Sequence, residues 1–95
     1  MPTLVGRCPS CGETLRARKL WCAHCQIGLE GDFQLGVLAQ LRPEQQEFIT
    51  EFVKASGSLK EMAKHFGVSY PTVRNRLDEL IAEVTRLQEA GEHDD

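Results

Sequence analysis

The sequence has no long apolar run, no surplus of positive charge and few aromatic side chains. Its 95 residues include 11 lysines and arginines against 14 aspartates and glutamates, and aromatic residues make up 6%. No stretch approaches the roughly 18 apolar residues that span a bilayer, which excludes a helical membrane protein. The opening residues, Met1 to Arg7, are too few and too polar for a signal peptide, so a cytoplasmic location is expected. A net charge of −3 excludes tight, nonspecific nucleic-acid binding through bulk charge. Any DNA contact must come from a local basic patch, or from two patches joined in an oligomer. Histidine is scarce, and His24, His65 and His93 fall in no nucleophile or acid–base constellation, so no enzyme is expected. Cysteine is the exception, with four residues. In a cytoplasmic chain these are metal ligands rather than disulfide partners.

The charge is unevenly spread. Residues 1–31 carry +2, Asp32 is the one charge in residues 32–41, residues 42–82 balance to zero, and residues 83–95 carry −4. This agrees with a division into a zinc ribbon over residues 1–33, a linker over 34–41, a helical domain over 42–89 and a disordered tail over 90–95.

Cys8-Pro9-Ser10-Cys11 and Cys22-Ala23-His24-Cys25 are two C-x2-C pairs ten residues apart. Zinc takes four tetrahedral ligands and suits thiolates. Each pair forms a knuckle aiming two sulfurs at one spot, and Gly12 can take the positive φ that turns backbone N–H groups toward them. The expectation is one structural Zn2+ per chain, held by Cys8, Cys11, Cys22 and Cys25, with no open position for catalysis. A ribbon this small has little core, so metal binding would supply much of its folding free energy. His24, inside the second knuckle, is expected on the surface. Between the pairs, residues 14–21 read as strand, with Leu15, Ala17 and Trp21 alternating and a turn or bulge near Lys19-Leu20. Ten residues suffice for a tight hairpin that returns the second knuckle to the first. Ile27, Leu29, Gly31 and Phe33 mark another short strand, weakened by glycine. In the linker, Leu38 and Leu41 can dock on the helical domain that comes next.

The C-terminal half reads as three helices. The first spans about residues 42–55, opens at Pro43, and carries Phe48, Ile49, Phe52 and Val53 at helical spacing before Ser56-Gly57. Ser58-Leu59-Lys60-Glu61 has the form of a capping box. It opens a second helix bearing Leu59, Met62, Ala63 and Phe66 and stopping at Gly67. Val68 plugs the core below the turn, and Ser69 caps an extended third helix with Pro71 in its first turn. Ala63, Gly67, Val68, Ser69, Thr72, Val73 and Leu77 stand at the spacing of a helix-turn-helix. The fold expected is small α+β: a zinc-ribbon hairpin, then an all-α helix-turn-helix domain whose last helix is long.

Residues 67–77 resemble the helix-turn-helix of response-regulator output domains and of sigma-factor promoter-reading domains. Over roughly residues 5–85 the resemblance widens. Cys-Pro-x-Cys-Gly, the second Cys-x2-Cys, Ile-Gly-Leu-Glu-Gly-Asp-Phe, Leu-Arg-Pro-Glu-Gln and Ser-Tyr-Pro-Thr-Val-Arg-Asn-Arg-Leu-Asp-Glu together look like a bacterial family of unknown function. That family joins a four-cysteine zinc ribbon to a helix-turn-helix. The resemblance implies a bacterial, cytoplasmic protein with a role in transcription, and supplies no ligand, operator or target.

At 100° per residue, Val73, Leu77, Leu80, Ile81 and Val84 share one face of the third helix. Pro71, Asn75 and Glu79 lie opposite, with Thr72 beside them and Arg74 and Arg76 on the flanks. A recognition helix presents its N-terminal half to the major groove. Asn75 suits adenine, Arg74 or Arg76 suits guanine or phosphate, and Ser69, Tyr70 and Thr72 sit where phosphates pass. Lys60 and Lys64 on the second helix can add backbone contacts. The competing reading has Arg74 and Arg76 merely solvated, paired with Asp78 and Glu79. Two function classes remain: a DNA-binding transcriptional regulator, or a zinc-ribbon adaptor that grips a protein such as RNA polymerase. The spacing of Val73, Leu77, Leu80, Val84 and Leu87 also fits a heptad seam, with Val84 and Leu87 as a homodimer interface. The alternative folds those two side chains inward.

Overall fold

The computed structural model describes residues 6–92. The chain divides into two compact units, Met1–Arg42 and Pro43–Asp95, so each is taken by itself.

In the first unit the chain turns back on itself across the first cysteine pair. Arg7 and Thr14 form an antiparallel bridge. The Cys8 N–H donates to the Glu13 carbonyl at 2.8 Å, and the Leu15 N–H to the Gly6 carbonyl at 2.9 Å. Strand β1 (Arg16–Cys22) comes next, and pairs antiparallel with β2 (Ile27–Gln34). Of the turn or bulge expected near Lys19-Leu20, it is a bulge that forms; both of these residues pair with β2, at Glu30 and Leu29. The irregularity lies one step earlier. Between the pairs Ala17↔Phe33 and Lys19↔Glu30, β2 carries one residue more than β1, so Gly31 and Asp32 stand against Arg18. Glycine is a common bulge residue, since it packs nothing and bends freely. Ion pairs Arg16–Asp32 at 2.8 Å and Lys19–Glu30 at 3.7 Å clip the strands on either side. Both are exposed and contribute at most about 1 kcal/mol each.

The hairpin has almost no interior. Of its strand residues only Ala17 is even half-buried. A two-stranded ribbon of this kind is marginal alone. The segment after β2 is better packed than a linker. A 3₁₀ turn occupies Leu38–Gln40, and buried Gln40 donates its side-chain amide to the Leu35 carbonyl at 2.8 Å. Gly6 lies against this turn so closely that a Cβ would meet the Ala39 carbonyl oxygen at 2.4 Å. Of the two linker leucines, Leu41 is 1% exposed and Leu38 54%.

The second unit contains α1 (Pro43–Lys54), α2 (Leu59–Phe66) and α3 (Tyr70–Glu92). Phe48, Met62, Val73, Leu80 and Leu87 are buried, and the Phe48 and Phe66 rings stack with centroids 6.0 Å apart. Two residues expected in the apolar stripes are outside the core: Val53 is 68% and Ile81 50% exposed. Each comes directly after a residue that faces inward and lies 100° further round the helix, at the margin of its apolar face. The tail expected to be disordered from residue 90 is helical through Glu92. No proline interrupts it, and one glycine costs a helix only about 1 kcal/mol. The rest of that expected tail, including His93, lies outside the described residues.

Candidate metal centre and nucleic-acid interface

The two cysteine pairs fold alike. In the first, the Gly12 N–H donates to the Cys8 carbonyl at 2.8 Å, and in the second the Gln26 N–H donates to the Cys22 carbonyl at 2.7 Å. The closing residue of each has positive φ, 77° at Gly12 and 58° at Gln26. The form is comfortable for glycine and strained for glutamine. Backbone donors converge on one sulfur of each pair. The Cys8 thiol is held below its ordinary pKa by the Cys11 N–H first, then by the Ser10 N–H and the Cys11 thiol. The Cys22 thiol is lowered in the same way by the Cys25 N–H, the Cys25 thiol and the His24 N–H. Donors to sulfur favour the thiolate, the form that binds metal. His24 contributes its backbone, and its side chain is exposed.

Each pair thus fits half a zinc site. The four sulfurs are not brought together, however: among the described residues no group of three or more cysteines, histidines or carboxylates could hold a metal ion. Nor are the cysteines joined as disulfides. The tight return hairpin expected between the pairs is replaced by β1, which runs from just after the first knuckle into the second. The donor chemistry of both pairs fits zinc.

The interhelical turn of the second unit is built from local hydrogen bonds. Ser58 caps α2 by accepting from the Glu61 N–H at 3.2 Å. The reciprocal half of the capping box is absent, because the Ser58 N–H already donates to the Ala55 carbonyl and Glu61 pairs with Lys64 at 3.5 Å. At the other end Gly67 has φ 66° and ψ 35°. Its N–H donates to the Lys64 carbonyl at 3.3 Å, and the Val68 N–H donates to the Ala63 carbonyl at 3.0 Å. This pair of bonds is the Schellman arrangement, and it satisfies carbonyls the helix end would leave bare. Ser69 then caps α3, accepting from the Thr72 N–H at 3.3 Å and sharing a 2.8 Å hydrogen bond with the Thr72 hydroxyl. Val73, fully buried, and half-buried Leu77 anchor α3 beneath the turn.

The side chains expected to meet DNA gather on the opening turns of α3. Ser69, Tyr70, Arg74, Asn75 and Arg76 are exposed, and Thr72 is half-buried through its bond to Ser69. The two arginines differ. Arg74 pairs with Asp78 at 3.2 Å, whereas Arg76 has no ion-pair partner among the described residues. On α2, Lys60 is exposed and Lys64 is held by Glu61. His65 sits at the surface against Glu51, 3.6 Å away, and edge-on to Phe66. The seam expected for a dimer is not open: Leu87 is 4% exposed and Val84 half-buried. What the sequence did not reveal is an apolar cleft of ≈ 250 Å³ between α1 and α3, lined by Ile49, Phe52, Ile81 and Val84 among others.

A two-stranded hairpin with paired C-x2-C knuckles, followed by a helix-turn-helix with a long last helix, defines a ribbon-plus-helix-turn-helix protein. The comparison with family models gives the same division. Residues 8–39 match the DUF2089 zinc ribbon, and residues 41–86 match Domain of unknown function (DUF2089)-HTH. The chain belongs to the DUF2089 family. All four cysteines fall inside the ribbon match, which supports structural zinc. No curated protein and no solved structure matches the chain. No helix among the described residues is long and apolar enough to cross a membrane.

Proposed function

We propose that the protein is a bacterial, cytoplasmic DNA-binding regulator of transcription, with one structural zinc per chain and no catalytic step. The observation that carries this reading is the opening of α3. A Schellman turn and a serine cap hold Tyr70, Asn75 and Arg76 exposed on the helix's first two turns. That is the part of a recognition helix that enters the major groove. Asn75 is suited to an adenine edge and Arg76 to guanine or phosphate. Asp78 and Glu79 would repel phosphates, which confines the contact to those turns. Selection of bound sequences from a random DNA pool tests the reading. Enrichment of one motif that Asn75→Ala blurs is the expected result.

A second reading is an adaptor that binds a protein such as RNA polymerase. It is favoured by Trp21, which is 60% exposed on the ribbon, since large exposed aromatics commonly anchor interfaces. Failure to retard any DNA at low salt, with retention of polymerase that Trp21→Ala abolishes, would favour it.

A further inference from the structure

We infer that two copies of the chain join through the apolar cleft between α1 and α3, with their third helices antiparallel and their recognition turns on the same side.

The cleft has a volume of ≈ 250 Å³, and none of its lining residues is charged. Ile49, Phe52 and Val84 wall it and are half-buried, while Ile81 at its edge is 50% exposed. Val53, one turn after Ile49, is 68% exposed. Burying such side chains against another apolar surface is favourable. A two-fold interface sets a patch against its own image, and a neutral apolar patch can face its image without bringing like charges together.

The outer edge of the cleft is a stripe along α3. At 100° per residue, Arg74, Ile81, Thr85 and Gln88 fall within about 60° of arc, and all four are exposed. This stripe lies beside the positions of Val84 and Leu87, which turn into the helical unit. A two-fold axis between Ile81 and Thr85 sets Ile81 of each copy against Thr85 of the other. Charge selects the antiparallel direction. α3 opens with Arg74 and Arg76, whereas residues 83–95 carry −4. Antiparallel helices place each basic opening beside the other's acidic end, and parallel helices would set acid against acid.

The same arrangement aims the recognition turns. Asn75 lies about 110° round the helix from the middle of the stripe, so it points nearly at right angles to the contact. A two-fold axis perpendicular to the paired helices then keeps both asparagines on one side. Val73, at the middle of the recognition turns, is ten residues from that axis in each copy. At about 1.5 Å per residue the two sets of turns stand roughly 30 Å apart. Successive major grooves on one face of DNA are about 34 Å apart. The dimer itself does not rest on the DNA-binding reading; the spacing of the half-sites does.

Sedimentation of the zinc-loaded full chain tests the interface without DNA. The parent is expected to be a dimer at tens of micromolar. Ile81→Glu should weaken that dimer tenfold or more, and Thr85→Glu, an exposed position that needs no repacking, should weaken it in the same direction. Leu29→Glu on the ribbon should leave it unchanged. An unaltered helical circular-dichroism signal shows that the variants stay folded. Sequences selected from a random DNA pool are expected to be inverted repeats with half-sites about one helical turn apart. A parent that sediments as a monomer, or a dimer that survives both glutamate variants, overturns the inference. A dimer that selects a single half-site overturns the same-side arrangement. A dimer that both variants weaken but that binds no DNA upholds the interface and removes the DNA-binding reading instead.

Discussion

Arg74 and Arg76 are two residues apart on one helix, and their surroundings give them different roles. The Arg74–Asp78 pair is a 3.2 Å i,i+4 bridge with both side chains 53% exposed, so it is worth only about 0.3–0.5 kcal/mol. A phosphate can displace Asp78, but the carboxylate then stays beside the DNA as a repulsive charge. Asp78→Ala should therefore tighten DNA binding several-fold in a gel-retardation titration. Arg76 has no such competitor among the described residues. Arg76→Ala should weaken binding across all sequences and lower the salt slope by about 1 if the contact is to phosphate. Asn75→Ala should cost about 1–3 kcal/mol at the preferred site and relax its sequence preference. The sequence placed all three on the exposed side of α3, because helical angles depend on position alone. It also paired Arg76 with Glu79. The structure pairs only Arg74, because rotamers decide which spacing is used.

Among the elements, α2 and its two caps were the most legible from sequence. Ser58, Gly67 and Ser69 act through neighbours within five residues, and such chemistry is encoded locally. Gly67→Ala forces a Cβ into a left-handed backbone at φ 66°, although nothing stands within 4 Å of it. The expected loss is about 1 kcal/mol in thermal or urea unfolding. The mirror case is Gln26, whose φ of 58° occupies the position Gly12 holds in the other knuckle. Gln26→Gly should stabilise the ribbon by up to about 1 kcal/mol in the same measurement. The β hairpin was harder to foresee. Its strands were visible as alternation, but the register shift opposite Arg18 depends on which strand absorbs the extra residue, and that is a pairing property. The same limit applies to Val53 and Ile81. An apolar face wider than 100° can take in adjacent residues, as at Phe48 and Ile49, and only the packing of each helix with its neighbours decides which of them it covers.

At the scale of the whole chain, the two units rest on different forces. The helical unit has a buried core of Phe48, Met62, Val73, Leu80 and Leu87, whereas the strand residues of the ribbon are nearly all exposed. Met62, at 1% exposure, should cost about 2–5 kcal/mol when replaced by alanine, with zinc content unchanged. Chelation should have the converse effect: loss of ribbon structure with the helical signal of α1, α2 and α3 retained. The cysteine spacing announced a metal ribbon from the sequence alone. How the two pairs meet was not legible, because it depends on the course of the chain between them.

DNA recognition by the opening turns of α3 is the central claim. Gel retardation of the zinc-loaded full chain, on its selected motif and on a scrambled one across a salt series, tests it most directly. The predicted result is at least a hundredfold preference for the motif, most of it lost in Asn75→Ala, and binding that weakens steadily with salt. Equal binding to both DNAs in parent and variant, or none at low salt, would contradict it.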